Sequence, residues 1–399
     1  MAVTPHSNQR PFKRSSFAAI LRSLESFLRI EAASTVLLVF ATAVALVWAN
    51  SSASDRYDLL WQTPLPAWLG TSSPRFWIND GLMTLFFLLV GLEIRSELHD
   101  GVLSQPRMAA LPAVAALGGI VVPALVYLVL NSNSTLRRGW AIPTATDIAF
   151  AVGVLTLLGR RVPRTLRVLL LTLAIVDDIG AIVIIALYYS NGLAFAGLLI
   201  SLCGIAMVLG LRRAGFQRIA WYLLPGLLLW YGLGRAGIHP TLAGVILGLL
   251  TPVPGNDGTS ACSSARLKDG LHRVVAFGVM PLFALANAGV DLRGLTITPG
   301  ATLSLGAGVV LGLVIGKPLG ILSAAALCLR SGIGELPGEI RWRHLLVLGC
   351  LGGVGFTMSV FIAGLALTQP ELLATAKAAI LLASLAAAAL GLAIGRWAL

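Results

Sequence analysis

Four charged residues stand where charge is hardest to keep. Asp147, Asp177, Asp178 and Lys317 all lie inside long apolar stretches. On insertion scales each costs about 2.5–3.5 kcal/mol at the centre of a bilayer, or about 10–14 kcal/mol for the four together. That sum is comparable with the stability of a whole domain. Such groups are kept where they pair with one another or line an ion path. A purely structural salt bridge is the plain alternative. Against it, three carboxylates face one lysine, and the surplus of negative charge suits a cation.

Asp177 and Asp178 are adjacent, so on a helix they point ~100° apart. One can face a cation while the other faces a neighbour such as Lys317. Two close carboxylates in a low dielectric make each other hold protons more tightly. The pair can then take and release protons near neutral pH, as a site contested by H⁺ and Na⁺ requires. Na⁺ is a hard cation and, by analogy with other hard cations, favours carboxylate, hydroxyl and carbonyl oxygens. Asp178, Asp147 and the Thr146 hydroxyl offer such ligands. Lys317 is informative by its type, because only four of the 29 basic residues are lysine. A buried lysine can give up its proton and an arginine cannot. Lys317 is therefore either a group that titrates or switches partners, or half of a fixed ion pair with Asp177.

The elements that carry these residues must be membrane helices. The chain has 399 residues, 57% hydrophobic and 12% charged, against roughly 25% charged in soluble domains. Stretches 108–136, 179–211, 294–316 and 344–370 contain no Asp, Glu, Lys or Arg, and each reaches the ~20 residues of a membrane span. Backbone polar groups in hydrocarbon are satisfied internally, which makes these spans helices; barrel strands would be shorter and alternating. Apolar runs between punctuating residues give twelve spans: 33–50, 77–97, 108–130, 138–159, 165–190, 194–211, 218–234, 237–252, 272–290, 303–329, 344–366 and 372–396.

Two of these are broken in the middle. The fourth contains Pro143 three residues before Thr146 and Asp147, and an internal proline removes a hydrogen bond and clashes with the preceding turn. The eleventh contains Gly349, Gly352, Gly353 and Gly355, each glycine costing roughly 1 kcal/mol of helix propensity. Half-helices present partial positive charge at their N-termini and partial negative charge at their C-termini. Asp147 can balance the former and Lys317 the latter.

Further polar groups mark the ends. In the second span Asp80 and Glu93 are 13 residues apart, or ~20 Å of helix. Asp80 therefore lies near one surface, where it is either a functional acid or only an N-terminal helix acid, and Glu93 lies near the other. Glu93 and Glu97, one turn apart, form either an acidic lip that draws cations into a funnel or an ordinary solvated helix end. His239, before Pro240, and His272, beside Lys268 and Asp269, are the histidines placed to respond to pH, or else structural. Basic clusters at 160–167, 212–218, 266–273 and 330–343 fall on the side of the N-terminus if there are twelve spans. The positive-inside rule then makes both termini cytoplasmic.

The net charge of +12 has the same origin, so no nucleic-acid partner is expected. Cys203, Cys262, Cys328 and Cys350 show neither ligand spacing nor a paired framework. Residues 1–32 are basic, lack a compact signal-peptide layout and read as a cytoplasmic tail. Segment 51–76 reads as the longest external connection, a structured loop, and 252–265 as a flexible cytoplasmic linker between two halves. No Gly-x-x-x-x-Gly-Lys-Ser/Thr motif is present, so neither ATP nor an organic cofactor is expected.

Six stretches in order, WINDGLMTLFFLLVGLE (77–93), AIPTATDIAF (141–150), AIVDDIGA (174–181), TLAGVILG (241–248), GKPLG (316–320) and GFTMS (355–359), resemble the NhaA family of bacterial sodium/proton antiporters. The likeness runs over the chain beyond residue ~30. It implies an all-α integral membrane protein of the bacterial inner membrane, multi-pass, with about twelve transmembrane helices and often a homodimer. The family is itself a known example of inverted-topology repeats. Carried over, these would be 107–190 and 303–397, with the two discontinuous helices crossing near the midplane, and 33–100 and 194–290 as scaffold and dimerisation helices. Asp177 and Asp178 match the family's ion-binding carboxylates, Thr146 and Asp147 the polar end of its first broken helix, Lys317 its intramembrane lysine, and Glu93 an acid of its cytoplasmic funnel. The chain departs from well-known members at that funnel, with Lys268 in place of an acid and Ser96 in place of a second base.

The resemblance implies export of Na⁺, and of Li⁺, against external protons, with two H⁺ per Na⁺, net charge movement and regulation by pH. A sodium-coupled importer of an organic anion on a related fold is the alternative. It would need a basic or polar pocket beyond Lys317. An intramembrane hydrolase would need a nucleophile–base pair, and His239 has no evident partner. A proton channel would conduct without Na⁺.

Overall fold

Apolar runs longer than a membrane is thick satisfy their own backbone, and the chain duly folds as helices. The computed structural model describes residues 14–399 apart from 67–71, 191, 193, 217, 219, 252–260, 295–299 and 337, and among them every regular element is helical. Eight helices are long and apolar enough to cross a membrane: Ile30–Ala49, Pro74–His99, Pro106–Leu130, Arg164–Tyr188, Phe195–Arg213, Leu267–Asn287, Ala301–Arg330 and Pro370–Ala398. Two further spans are bent pairs, Ser134–Thr144 with Ile148–Leu157 and Trp342–Gly352 with Phe356–Ala366, each turning by 45° at its break. Both breaks fall where Pro143 and the glycine cluster place them.

The working elements are α1 (Arg14–Ala49), α2 (Ser54–Gln62), α3 (Met83–Asp100), α4 (Pro106–Leu130), α5 (Ile148–Leu157), α6 (Arg164–Tyr188), α7 (Phe195–Arg213), α8 (Ala220–Ala236), α9 (Leu242–Leu250), α10 (Ala261–Val274), α11 (Met280–Asn287), α12 (Ala301–Leu311), α13 (Lys317–Arg330), α14 (Trp342–Gly352), α15 (Phe356–Ala366) and α16 (Pro370–Ala398). A tight helical segment, Arg138–Thr144, precedes α5 and forms the first half of its broken span.

Helix α1 begins at Arg14, within the basic tail 1–32, and runs on into the first apolar stretch. Residues 1–13, with Arg10 and Lys13, lie outside the described residues. Segment 51–76 is not simply a loop, since α2 forms within it and buries Tyr57 and Trp61. Of the linker 252–265, residues 252–260 lie outside the described residues, while 261–265 already belong to α10.

Close approach of backbones, which glycine alone permits, sets the geometry around the buried charges. Helices α4 and α13 cross at Gly118 and Gly320, where a Cβ on Gly320 would meet Val122 Cβ at 3.0 Å and the Gly118 carbonyl closer still. Lys317 is three residues before that contact. Immediately upstream, Gly312–Gly316 form a π-turn whose glycines pack on Pro143 and Pro123. Such widened turns recur at functional sites. Two more widen the chain at Trp77–Leu82, around Asp80, and at Val275–Val279, after His272. Helix α1 leans on α5 through the Thr35 hydroxyl, 2.9 Å from Ala149 O.

Candidate ion-binding site

The two broken spans meet at their breaks and are stitched by hydrogen bonds. Thr146 Oγ1 donates to Gly352 O over 2.8 Å, Asp147 N to Val354 O over 2.7 Å, and Ser359 Oγ to Ile142 O over 2.8 Å. Each interruption thus hands its unsatisfied backbone groups to the other, as buried polar backbone must.

Asp147 closes both half-helices that start here. Its Oδ1 accepts Phe150 N at 3.0 Å in the first turn of α5, and its Oδ2 accepts Thr357 N at 3.0 Å and Thr357 Oγ1 at 2.5 Å in the first turn of α15. One carboxylate so balances two positive helix ends. This matches the expectation for Asp147 as helix-end compensation and limits its expected part as an ion ligand, because both oxygens are already engaged. Thr357, the second anchor, was not singled out from sequence. It lies in the GFTMS stretch, but a threonine in an apolar run carries no signal of its own.

Lys317 does the converse. Its ammonium donates to Thr144 O, the C-terminal end of the first half-helix, and to Asp177 Oδ2 at 2.5 Å, with both side chains fully buried. In this state the lysine is paired with Asp177, a contact common to both readings that the sequence leaves open.

Asp178 is what remains. On α6 it points away from its neighbour, as adjacent positions must. Both of its oxygens are buried without a hydrogen-bond partner, whereas Asp177 has Thr146 beside it as well as Lys317. The charged groups within electrostatic reach are Asp177, Glu93, Asp147 and Lys317. Burying a carboxylate without partners is strongly unfavourable, so this position is built for a proton or a cation. Thr146, fully buried, stands close to the same crossing.

The other sequence-derived residues separate into two ends. At one end Asp80 Oδ1 and His239 Nε2 stand 3.3 Å apart, with His239 Nδ1 2.8 Å from Thr241 Oγ1 and Trp230 Nε1 donating to Asp80 O over 3.0 Å. Asp80 is therefore more than a helix-end acid, and His239 has the partner that the sequence did not reveal. At the opposite end Glu93 is half-buried among Glu31, Glu97, Lys268 and His272. Glu97 accepts Val102 N at 3.0 Å and so caps the chain leaving α3, which favours the helix-end reading for it. Lys268 is half-buried and Asp269 exposed. His272 is buried against Glu31, 3.2 Å from its Oε1.

The structure buries two further charges. Glu31 stands two positions ahead of the first apolar run, within the basic tail, so its position carries no intramembrane signal. Lys377, buried in α16, is a fifth charge inside an apolar span.

Comparison with known proteins supplies the family. Residues 25–394 match the family described as Na⁺/H⁺ antiporter 1. A protein named Na⁺/H⁺ antiporter NhaA from Acidovorax sp. (strain JS42) is 53% identical over 92% of this chain and 90% of its own length. Another of that name from Janthinobacterium sp. (strain Marseille) is 49% identical over 94% and 92%. Among solved structures, the sodium proton antiporter MjNhaP1 from Methanocaldococcus jannaschii superposes with a TM-score of 0.53 at 12% identity, covering 95% of this chain and 98% of that one, a likeness of fold. A chain matched over nearly its whole length by the family profile, and about half identical to such relatives, belongs to the Na⁺/H⁺ antiporter 1 family.

Proposed function

We propose that this protein is a secondary transporter that exports Na⁺, and Li⁺, in exchange for protons. The observation that carries the reading is Asp178, whose buried oxygens lack partners where the two broken spans cross. Na⁺ reaches the site past Glu93, displaces protons from Asp178 and Asp177, and leaves on the far side after the site reopens there. The Thr146 hydroxyl, which already donates to Gly352 O, adds an oxygen ligand to those of the carboxylates. The outer solution then reprotonates the carboxylates. With two acids releasing protons the exchange is two H⁺ per Na⁺ and moves net charge, so a proton gradient drives Na⁺ outward.

The same reading orients the molecule. Counting α8 and the short α9 with the eight long helices and the two bent pairs gives twelve crossings, with 107–190 and 303–397 as inverted repeats carrying the site. Helices within 33–100 and 194–290 serve as scaffold and as contacts in a homodimer. The arginine-rich end, with Glu93, faces the cytoplasm along with both termini, and the Asp80–His239 end faces outward across the bacterial inner membrane. The names of the relatives support the chemistry, and the positive clusters support the orientation.

The test uses purified protein in sealed proteoliposomes with an acid interior. Added Na⁺ or Li⁺ should collapse the pH gradient for wild type and not for Asp178→Asn. A gradient that survives Na⁺, or a mutant indistinguishable from wild type, sinks the proposal and turns attention to sodium-coupled uptake of organic anions.

A further inference from the structure

Lys377 has no part in the mechanism above, and no partner holds it. It sits about two turns into α16, only 7% exposed, and among the described residues it makes neither a hydrogen bond nor an ion pair. The charged groups in its electrostatic reach are Arg75 and Asp58. The first is a second base. Asp58 is exposed on α2, where its Oδ1 accepts Gln62 Nε2 over 3.4 Å. Arg75 stands in the short turn Pro74–Phe76 ahead of Asp80, half-buried, with its Nε enclosed and without an acceptor. Trp61, on the buried face of α2, is likewise 7% exposed, with its Nε1–H unmet. Tyr57 lies one turn before Trp61, their rings 6.2 Å apart, and is itself in reach of Arg75 and Asp58. Its hydroxyl is already engaged, donating to Leu285 O at 2.7 Å and accepting Gly289 N at 3.2 Å.

Three N–H donors from three segments therefore gather around one face of α2 with no acceptor between them. Buried donors are costly unless an acceptor reaches them. A lysine can escape by giving up its proton, but an arginine cannot, so the demand for negative charge persists at Arg75 whatever Lys377 does. We propose that Lys377, Arg75 and Trp61 form a binding site for a small monovalent anion such as chloride. Two bases against one exposed acid leave a single positive charge, which one monovalent anion neutralises. The donors lie beneath α2, and the enclosure of Lys377 and Trp61 favours a halide over a phosphate carried on a lipid. The site belongs to the Asp80 end, which the proposed orientation turns to the outer solution. A bound anion ties α16 to α2 and to the turn that leads to Asp80, and so stabilises this end of the fold.

The test uses purified protein in detergent with choline salts at constant ionic strength, so that Na⁺ at Asp178 plays no part. Replacing gluconate by chloride or bromide should raise the thermal midpoint of wild type by about 2 °C or more, in a saturable manner. Lys377→Met also removes a buried charge; it should stay folded and lose this increment. Arg75→Gln should raise the half-saturating halide concentration about ten-fold, and Trp61→Phe, which keeps a ring but not the N–H, about three-fold. Trp61→Phe decides the matter if Lys377→Met does not fold. No halide-dependent rise overturns the proposal, and so does an equal rise in wild type and all three variants, which is a general salt effect. A rise given by inorganic phosphate or by added phosphatidylglycerol, and not by halide, also overturns it by assigning these donors to phosphate groups.

Discussion

Lys317 Nζ stands 2.5 Å from Asp177 Oδ2, and neither side chain meets solvent. Removing one partner of such a pair leaves an isolated buried charge and costs about 3–5 kcal/mol, whereas replacing both is often tolerated. Lys317→Met should accordingly lower the thermal midpoint of the detergent-solubilised protein sharply. Adding Asp177→Asn should recover most of the loss. A double variant no more stable than the single one would show that the pair does not carry this energy.

Lys317→Arg asks a different question. The guanidinium keeps its proton at all accessible pH, so any proton delivered by Lys317 would vanish with it. Since the two carboxylates supply the protons in the proposed cycle, the Na⁺-triggered current in Lys317→Arg proteoliposomes should be smaller but keep its sign. An electroneutral variant would assign one proton to the lysine.

Asp178 should separate stability from activity. Its oxygens have no partners to lose, so Asp178→Asn removes an unfavourable buried charge. The midpoint should stay level or rise while Na⁺-dependent exchange disappears, as when functional sites store destabilisation. A large drop in midpoint would mean that Asp178 holds the fold together.

Thr357 tests the joint between the broken spans. Its hydroxyl donates to Asp147 Oδ2, and a hydrogen bond to a charged group contributes about 1.5–3 kcal/mol. Thr357→Val, close in shape, should lower the midpoint and slow exchange. Thr357→Ser should restore both, as read by unfolding and by gradient collapse. Equal behaviour of the two variants would refute the hydroxyl's role.

The pH response of exchange follows from competition at Asp178, which faces Asp177, Asp147, Glu93 and Lys317. Protons occupy the site at low pH, so the half-saturating Na⁺ concentration should rise as pH falls and level off at high pH. The slope should be about tenfold per pH unit for one competing proton and about a hundredfold for two. A half-saturating concentration independent of pH would exclude a shared site.

Much of this molecule is legible without coordinates. Asp147, Asp177, Asp178 and Lys317 stand out because each is a charge in a run that should hold none, and Pro143 and the glycines around Gly353 announce the two breaks. Residues whose importance depends on a distant partner do not stand out. Thr357 looks like any polar residue in an apolar helix until Asp147 is seen 2.5 Å away. The partner of His239 is not legible in the sequence because Asp80 is 159 positions earlier, and the two meet only when α9 packs on α3.

By itself the sequence determined the helical membrane class, most of the span boundaries, the positions of the breaks and the identity of four of the buried charges. These follow from local rules: hydrophobic length, backbone satisfaction and the cost of charge in lipid. Only the tertiary structure decided how the charges are shared. It gave Asp147 to two helix ends, Lys317 to Asp177 and a carbonyl, and left Asp178 and one oxygen of Glu31 without partners. The reason is physical. A hydrogen bond depends on angstroms between groups far apart in sequence, and those distances are set by helix crossings such as that of Gly118 on Gly320, which no local pattern records.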